Sequence, residues 1–307
     1  MLDILGKRYI FFAISLLLIL PGLIVMAIWG MPLSIDFQGG TLLDISFASG
    51  NVPATDTVMN VYNDFGVVDA KPTTAGEGSL LIRSSVMDET TVSDLVERLQ
   101  TETGDTITVR RAESVGPTIG REVTTRAAVA VAIAALATLL YITLAFRGVQ
   151  HSIRYGICAI IAMFHDVLVV ISLAAIGGQL FGWQIDSLFL TALLSVIGFS
   201  VQDKVVVFDR IRENSTIFRR LPFETLANHS IVQTLQRSIN TQLMTVEYML
   251  LALALFGGVT LREFAIILLV GLFMGTYSSL FIAAPILVIW ENKEWRNWFG
   301  RKAETAA

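Results

Sequence analysis

Six long apolar stretches constrain this chain more than anything else in it. They run over about 9–29, 127–146, 154–177, 186–208, 238–257 and 264–290. A helix needs about 20 residues to cross the hydrocarbon of a bilayer, and a helix there satisfies its own backbone hydrogen bonds. The pattern predicts an α-helical polytopic membrane protein with six transmembrane helices. Composition agrees, since 54% of the 307 residues are apolar and 16% are charged, against about a quarter charged in soluble domains. Lys7 and Arg8 precede the first run as they would in a signal sequence. The run is long for a signal core and no small-x-small cleavage site follows it, so it reads as an uncleaved anchor.

The basic residues orient these spans. Lys7 and Arg8 lie before the first, Arg147 and Arg154 between the second and third, and Arg210, Arg212, Arg219 and Arg220 after the fourth. Lys293, Arg296, Arg301 and Lys302 follow the sixth, whereas 178–185 and 258–263 carry only Arg262. Short loops rich in Lys and Arg stay inside, which predicts cytoplasmic termini. The chain then divides into residues 1–29 (N-terminus and first helix), an extracytoplasmic domain over 30–125, helices two to six over 126–292, and a cytoplasmic tail over 293–307.

The domain between helices one and two has its own periodicity. "TLLDISF" (41–47) reads as a strand, and "TDTVMNVYNDFG" as an amphipathic helix with Val58, Val61, Tyr62 and Phe65 on one face. "VVDAKPTT" and "GSLLIRSSV" read as strands. A second helix follows with Val92, Leu95, Val96 and Leu99, stopping at Gly104, and "TITVRRAESV" closes the domain. The βαββαβ order is that of a ferredoxin-like split βαβ unit. The domain contains no histidine, no cysteine and no phosphate-type glycine loop. It suits a binding or moving part, and no enzymatic activity, metal or cofactor is expected. The single cysteine, Cys158, sits in an apolar run and reads as an inert buried thiol. A net charge of −4 gives no reason to expect nucleic acid.

Charges inside the spans need a reason, because one at mid-helix costs about 2.5–3.5 kcal/mol on insertion scales. The candidates are His165 and Asp166 in the third span, Asp203 and Lys204 in the fourth, and Glu247 in the fifth, with Arg237 at that span's cytoplasmic entrance. Asp203 lies about four residues from the end of its run, roughly 6–9 Å deep. Partial desolvation penalises the charged form of a carboxyl, so such a group can take a proton from one side and release it to the other. Ser200, one turn earlier, is placed to help solvate it. Arg237, Asn240, Thr241 and Glu247 form a polar stripe on the fifth span. The structural alternatives are a static ion pair of Lys204 with Glu247 or Asp203 that fixes register, a satisfied core histidine at His165, and a snorkelling Lys204.

Several motifs together resemble the SecF family of the bacterial protein-export machinery, relatives of the RND transporters. They are "SIDFQGGT" (34–41), with Asp36, Gly39 and Gly40; "SVGPTIGREV" (114–123), with Gly116, Pro117 and Gly120; and "HDV" (165–167). "VIGFSVQDKVVVFDRIREN" (196–214) adds Asp209, Arg210 and Arg212, and "RSINTQL" (237–243) opens the fifth span. The resemblance implies an RND-type half that pairs with SecD beside the SecYEG channel. It implies a role in forward movement of unfolded preproteins, driven by proton flow through the bilayer-embedded part. It places Asp203 and Arg237 on the proton path. The family has a small hydroxyl residue where this chain has Lys204, and the added Lys204 and Glu247 read as a compensating pair. Two other functions stand beside this one: an RND-type exporter of small molecules or lipids, and an uncoupled structural tether of the translocase.

Overall fold

The computed structural model describes residues 3–74, 78–147, 151–242, 248–256 and 259–294. The chain separates into two compact units. One comprises Met31–Val129 with Gln184–Ser187, and the other the remaining long helices. Residues 184–187, expected as the end of the 178–185 loop and the first positions of the fourth span, belong with the first unit.

That unit follows the order read from the sequence: β1 (Gly40–Phe47), α3 (Thr55–Asp64), β2 (Lys71–Thr74), β3 (Ser79–Ser84), α4 (Glu89–Thr103) and β4 (Ile107–Val115). A single turn, α2 (Ile35–Gln38), precedes β1. The antiparallel sheet has the order β2-β3-β1-β4, with β1 paired on both sides. Period-two alternation puts Leu43, Ile45 and Phe47 of β1 and Leu80 and Ile82 of β3 on one face. There they pack with Val58, Val61 and Tyr62 of α3 and Leu95 and Leu99 of α4. α4 stops at Gly104, which takes the left-handed conformation (φ +65°) that glycine adopts without a side-chain clash. β4 is an edge strand, exposed along most of its length.

The second unit holds α1 (Arg8–Trp29), the main length of α5 (Pro117–Ala145), α6 (Ser152–Phe181), α7 (Ser187–Ile217) from Leu188 onward, α8 (Phe223–Gln242), α9 (Tyr248–Phe256), α10 (Val259–Ser278) and α11 (Ala284–Glu291). One π-helical turn, Ser279–Ala283, joins α10 to α11 without ending the helix. Among the described residues five helices are long and apolar enough to cross a membrane. The expected fifth span falls on α8 and α9, with 243–247, and therefore Glu247, outside the described residues. Two boundaries differ from the hydropathy reading. α7 continues past 208 to Ile217, and α8 starts at Phe223, because polar residues extend a helix into water where hydropathy no longer marks it.

Small residues set the packing, as expected where lipid gives helices little hydrophobic reason to associate. Gly22 of α1 abuts Ser172 of α6, whose hydroxyl donates to the carbonyls of Leu18 (3.0 Å) and Ile19 (3.2 Å). On α10, Gly271 lies against Val170 and Val196, and Gly275 against Ser200. This Gly-x-x-x-Gly face lets α10 approach α6 and α7 closely, bringing the hydroxyl residues after it to the charged positions.

Candidate functional site

Asp203 and Lys204 are neighbours in α7, so their side chains leave the helix about 100° apart. They reach different partners. Lys204 is fully buried and its ammonium donates to Asp166 Oδ2 at 2.8 Å across to α6. It also donates to Ser200 Oγ, one turn earlier on its own helix. Asp166, also fully buried, accepts from the hydroxyls of Ser200 and, at 2.8 Å, Ser278. Its other oxygen lies 3.0 Å from His165 Nδ1, which is satisfied when that nitrogen carries the ring proton. His165 Nε2 is buried without a hydrogen-bond partner among the described residues. A carboxylate, an ammonium and two hydroxyls thus form one closed network across α6, α7 and the end of α10.

This corrects two expectations. Lys204 pairs with Asp166, not with Asp203, and its proposed partner Glu247 lies outside the described residues. Ser200 serves that ion pair and does not solvate Asp203. The reason is geometric: seen from Ser200, Lys204 lies about 40° round the helix toward Asp166 of α6 and Asp203 about 60° round the other way, toward Thr276 of α10.

Asp203 lies on the α10 side of α7, half-buried, and accepts a hydrogen bond from Thr276 Oγ1 at 2.8 Å. Thr276 also lines an apolar cavity of about 170 Å³ with Phe273, Tyr277, Leu235 and Ile239. Tyr277 stacks on His165 at 6.2 Å and donates to the Phe11 carbonyl at 2.8 Å. Thr276, Tyr277 and Ser278 were not singled out from sequence. Their signal was the hydroxyl cluster "TYSS" (276–279) inside an otherwise apolar run.

On α8, Arg237 and Asn240 are exposed, and Arg237 makes no hydrogen bond or ion pair among the described residues. The helix buries Ser230, Thr234 and Ser238 instead, and Thr241 is exposed as well. Beyond Asp203, α7 is joined to α8 by the "DRIREN" segment. Arg210 donates to Gln233 (2.6 Å) and Asn214 to Ser230 (2.8 Å), while Asp209 pairs with Arg212 (2.6 Å), whose guanidinium lies 5.7 Å from the Phe146 ring. Arg210 and Asn214 therefore bridge α7 to α8, whereas the Asp209–Arg212 pair lies within α7.

The remaining motif residues meet in the first unit. Asp36 Oδ2 accepts from Ser187 N (2.9 Å) and Oγ (2.6 Å) at the start of α7. Gly39 has φ +79° and sits where a Cβ would come within 2.9 Å of Pro117, the first residue of α5. A Cβ on Gly120 would come within 2.8 Å of Gly39 N. Gly40 approaches the Ser84 carbonyl in the adjacent strand, while Gly116 has open space around it. Among the described residues no group of three His, Cys, Asp or Glu converges to hold a metal.

An α+β domain inserted after the first of several long apolar helices, with a charged network enclosed by the others, defines a polytopic membrane protein. Residues 95–293 match the family model for the protein export membrane protein SecD/SecF C-terminal region, and residues 24–50 match the SecD/SecF GG motif. The chain belongs to the SecD/SecF family. It is 71% identical to protein translocase subunit SecF of Anaerolinea thermophila over all of both chains, and 44% identical to that of Thermobaculum terrenum over 100% of this chain and 99% of the other. It also resembles the crystal structure of SecDF, a translocon-associated membrane protein from Thermus thermophilus, with 34% identity and a TM-score of 0.82. That match covers 95% of this chain and 39% of the longer one.

Proposed function

We propose that this protein is the smaller member of a SecD–SecF pair that uses the proton gradient to promote preprotein export through the SecYEG channel. The observation that carries this reading is the separation of Asp203 from Lys204. The lysine is neutralised by Asp166 inside the bundle. That leaves Asp203 on another face of α7, half-buried, with Thr276 as its hydrogen-bond donor. A carboxyl held by one neutral donor at the edge of a helix bundle is suited to gain and lose a proton. One locked against an ammonium is not.

The fused SecDF relative supports SecD as the partner. The outward polar face of α8 supports a proteinaceous neighbour for Arg237 and Asn240, since lipid would leave them unsatisfied. Arg237 is the electrostatic counterpart of Asp203 once that neighbour is in place. The excess of Lys and Arg in the short loops supports a reading with both termini in the cytoplasm and the α+β domain outside the cytoplasmic membrane.

The test is translocation into inverted vesicles containing this protein and SecD, with and without a proton gradient, for the natural sequence and Asp203→Asn. The carboxamide keeps the shape and does not titrate. The expected result is loss of the gradient-dependent part of translocation alone. A full gradient response in the variant would move coupling to SecD and leave this chain a structural tether.

A further inference from the structure

We infer that Asp36 is a positioning residue through which the α+β domain engages the helix that carries Asp203; this rests on the proton-driven reading above. Asp36 occupies the single turn between the end of α1 and Gly39–Gly40, directly before the central strand β1. Its carboxylate reaches 151 residues along the chain, to the first residue of α7, and accepts both the backbone N–H and the hydroxyl of Ser187. A carboxylate at a helix N-terminus meets unpaired N–H groups and the positive end of the helix dipole, so the contact is favourable on both counts.

Two backbone hydrogen bonds reinforce it. Ser34 N donates to the Ile185 carbonyl (2.9 Å) and Ile185 N to the Pro32 carbonyl (2.8 Å), forming a short parallel bridge between Leu33 and Ile185. On its other side the same stretch is held by α5. Thr124 Oγ1 donates to the Phe37 carbonyl at 3.1 Å, and Gly120 admits the backbone at Gly39.

Residues 32–40 therefore bind the first turns of α5 and α7 together and continue without a loop into β1. Asp203 lies 16 residues beyond Ser187 (203 − 187) on the same unbroken helix, roughly 24 Å along its axis. A hydrogen-bonded helix transmits an axial displacement or rotation over that length. A change in protonation at Asp203 that shifts α7 is thus delivered through Ser187 and Asp36 to the sheet, and a pull on the sheet returns by the same route. The backbone bridge alone would hold the segments in contact. The side-chain contact adds attachment to the end of α7 itself.

The experiment compares Asp36→Ala, Asp36→Asn and Ser187→Ala in the full chain with SecD, in inverted vesicles, scored per molecule of protein present. Asp203→Asn runs in parallel. Asp36→Ala is expected to lower the gradient-dependent increment by about fivefold or more while leaving translocation without a gradient unchanged. Asp36→Asn keeps an acceptor oxygen for Ser187 and is expected to restore most of the increment, a rescue that a bare need for negative charge would not produce. Ser187→Ala, retaining the N–H donor, falls between them. An undiminished increment per molecule in Asp36→Ala overturns the inference, as does equal loss in Asp36→Ala and Asp36→Asn. If Asp203→Asn loses the increment while Asp36→Ala keeps it, the failure belongs to Asp36 alone. If Asp203→Asn also keeps it, the proton-driven reading fails and the inference falls with it.

Discussion

At the scale of single residues, the deciding contrast is between two carboxylates. Asp166 is enclosed with an ammonium, two hydroxyls and an imidazole, so every charged atom in that cluster has a partner. An unpaired charge at this depth costs several kcal/mol, whereas a paired one is roughly neutral against apolar packing. Removing one member should therefore be far worse than removing both. Asp166→Asn or Lys204→Met is expected to cost about 3–5 kcal/mol, and the double variant should recover about half of that loss or more. Thermal unfolding of the purified chain in detergent would measure this. Additive losses would show that the two side chains are not coupled.

At the scale of elements, α10 is the organiser. Gly271 and Gly275 permit the close approach to α7, and the next turn supplies Thr276 and Ser278 to the two carboxylates. A π-helical turn follows immediately, and such turns recur at functional positions in helices because they re-aim the residues around them. A Cβ on Gly275 would lie 3.1 Å from Ser200 Cβ, so Gly275→Val forces α7 away. The expected cost is about 1–3 kcal/mol, with a reduced gradient response as Thr276 leaves Asp203. Gly198 on α7 has open space around it, and Gly198→Ala is the control: unchanged coupling and slightly raised stability, about 0.5–1 kcal/mol. Equal behaviour of the two variants in the unfolding and translocation assays would remove α10 packing from the account.

At the scale of the whole molecule, the α+β unit has a core of its own, and its stability carries a separate pH signature. Asp105 accepts from Ser49 N and Oγ and from Thr106 N, and the Ser49 hydroxyl in particular holds its carboxyl below the usual range. A depressed folded-state value means the contribution is complete above the unfolded value, near 3.8, and is lost as pH falls through the folded one. Amide exchange at Ser49 and Thr106 in the full chain, corrected for intrinsic rates, should lose protection only below about pH 4. Asp105→Asn should abolish that acid-dependent step. Protection lost already near neutral pH would assign the effect to another group. This signature is independent of the gradient assays, so the domain's folding and its coupling can be separated.

The apolar runs, the basic loops and the alternating patterns determined by themselves that the chain crosses a membrane and carries a βαββαβ domain after its first span. Burial in lipid or in a small core leaves one arrangement of apolar faces, and periodicity records it directly. Asp203 was singled out for a related reason, because a carboxylate in such a run is costly enough to demand a role. The partners of these charges were not legible. Which face of α7 meets α6 and which meets α10 depends on helix rotation and crossing, set by contacts such as Gly271 with Val196 and Gly22 with Ser172. Those contacts join residues far apart in the chain. Sequence adjacency therefore suggested an Asp203–Lys204 cluster where tertiary packing divides it, sending the lysine to Asp166 and the aspartate to Thr276. The joining of Asp36 to Ser187 has the same origin: two positions 151 residues apart become neighbours only once the chain has folded.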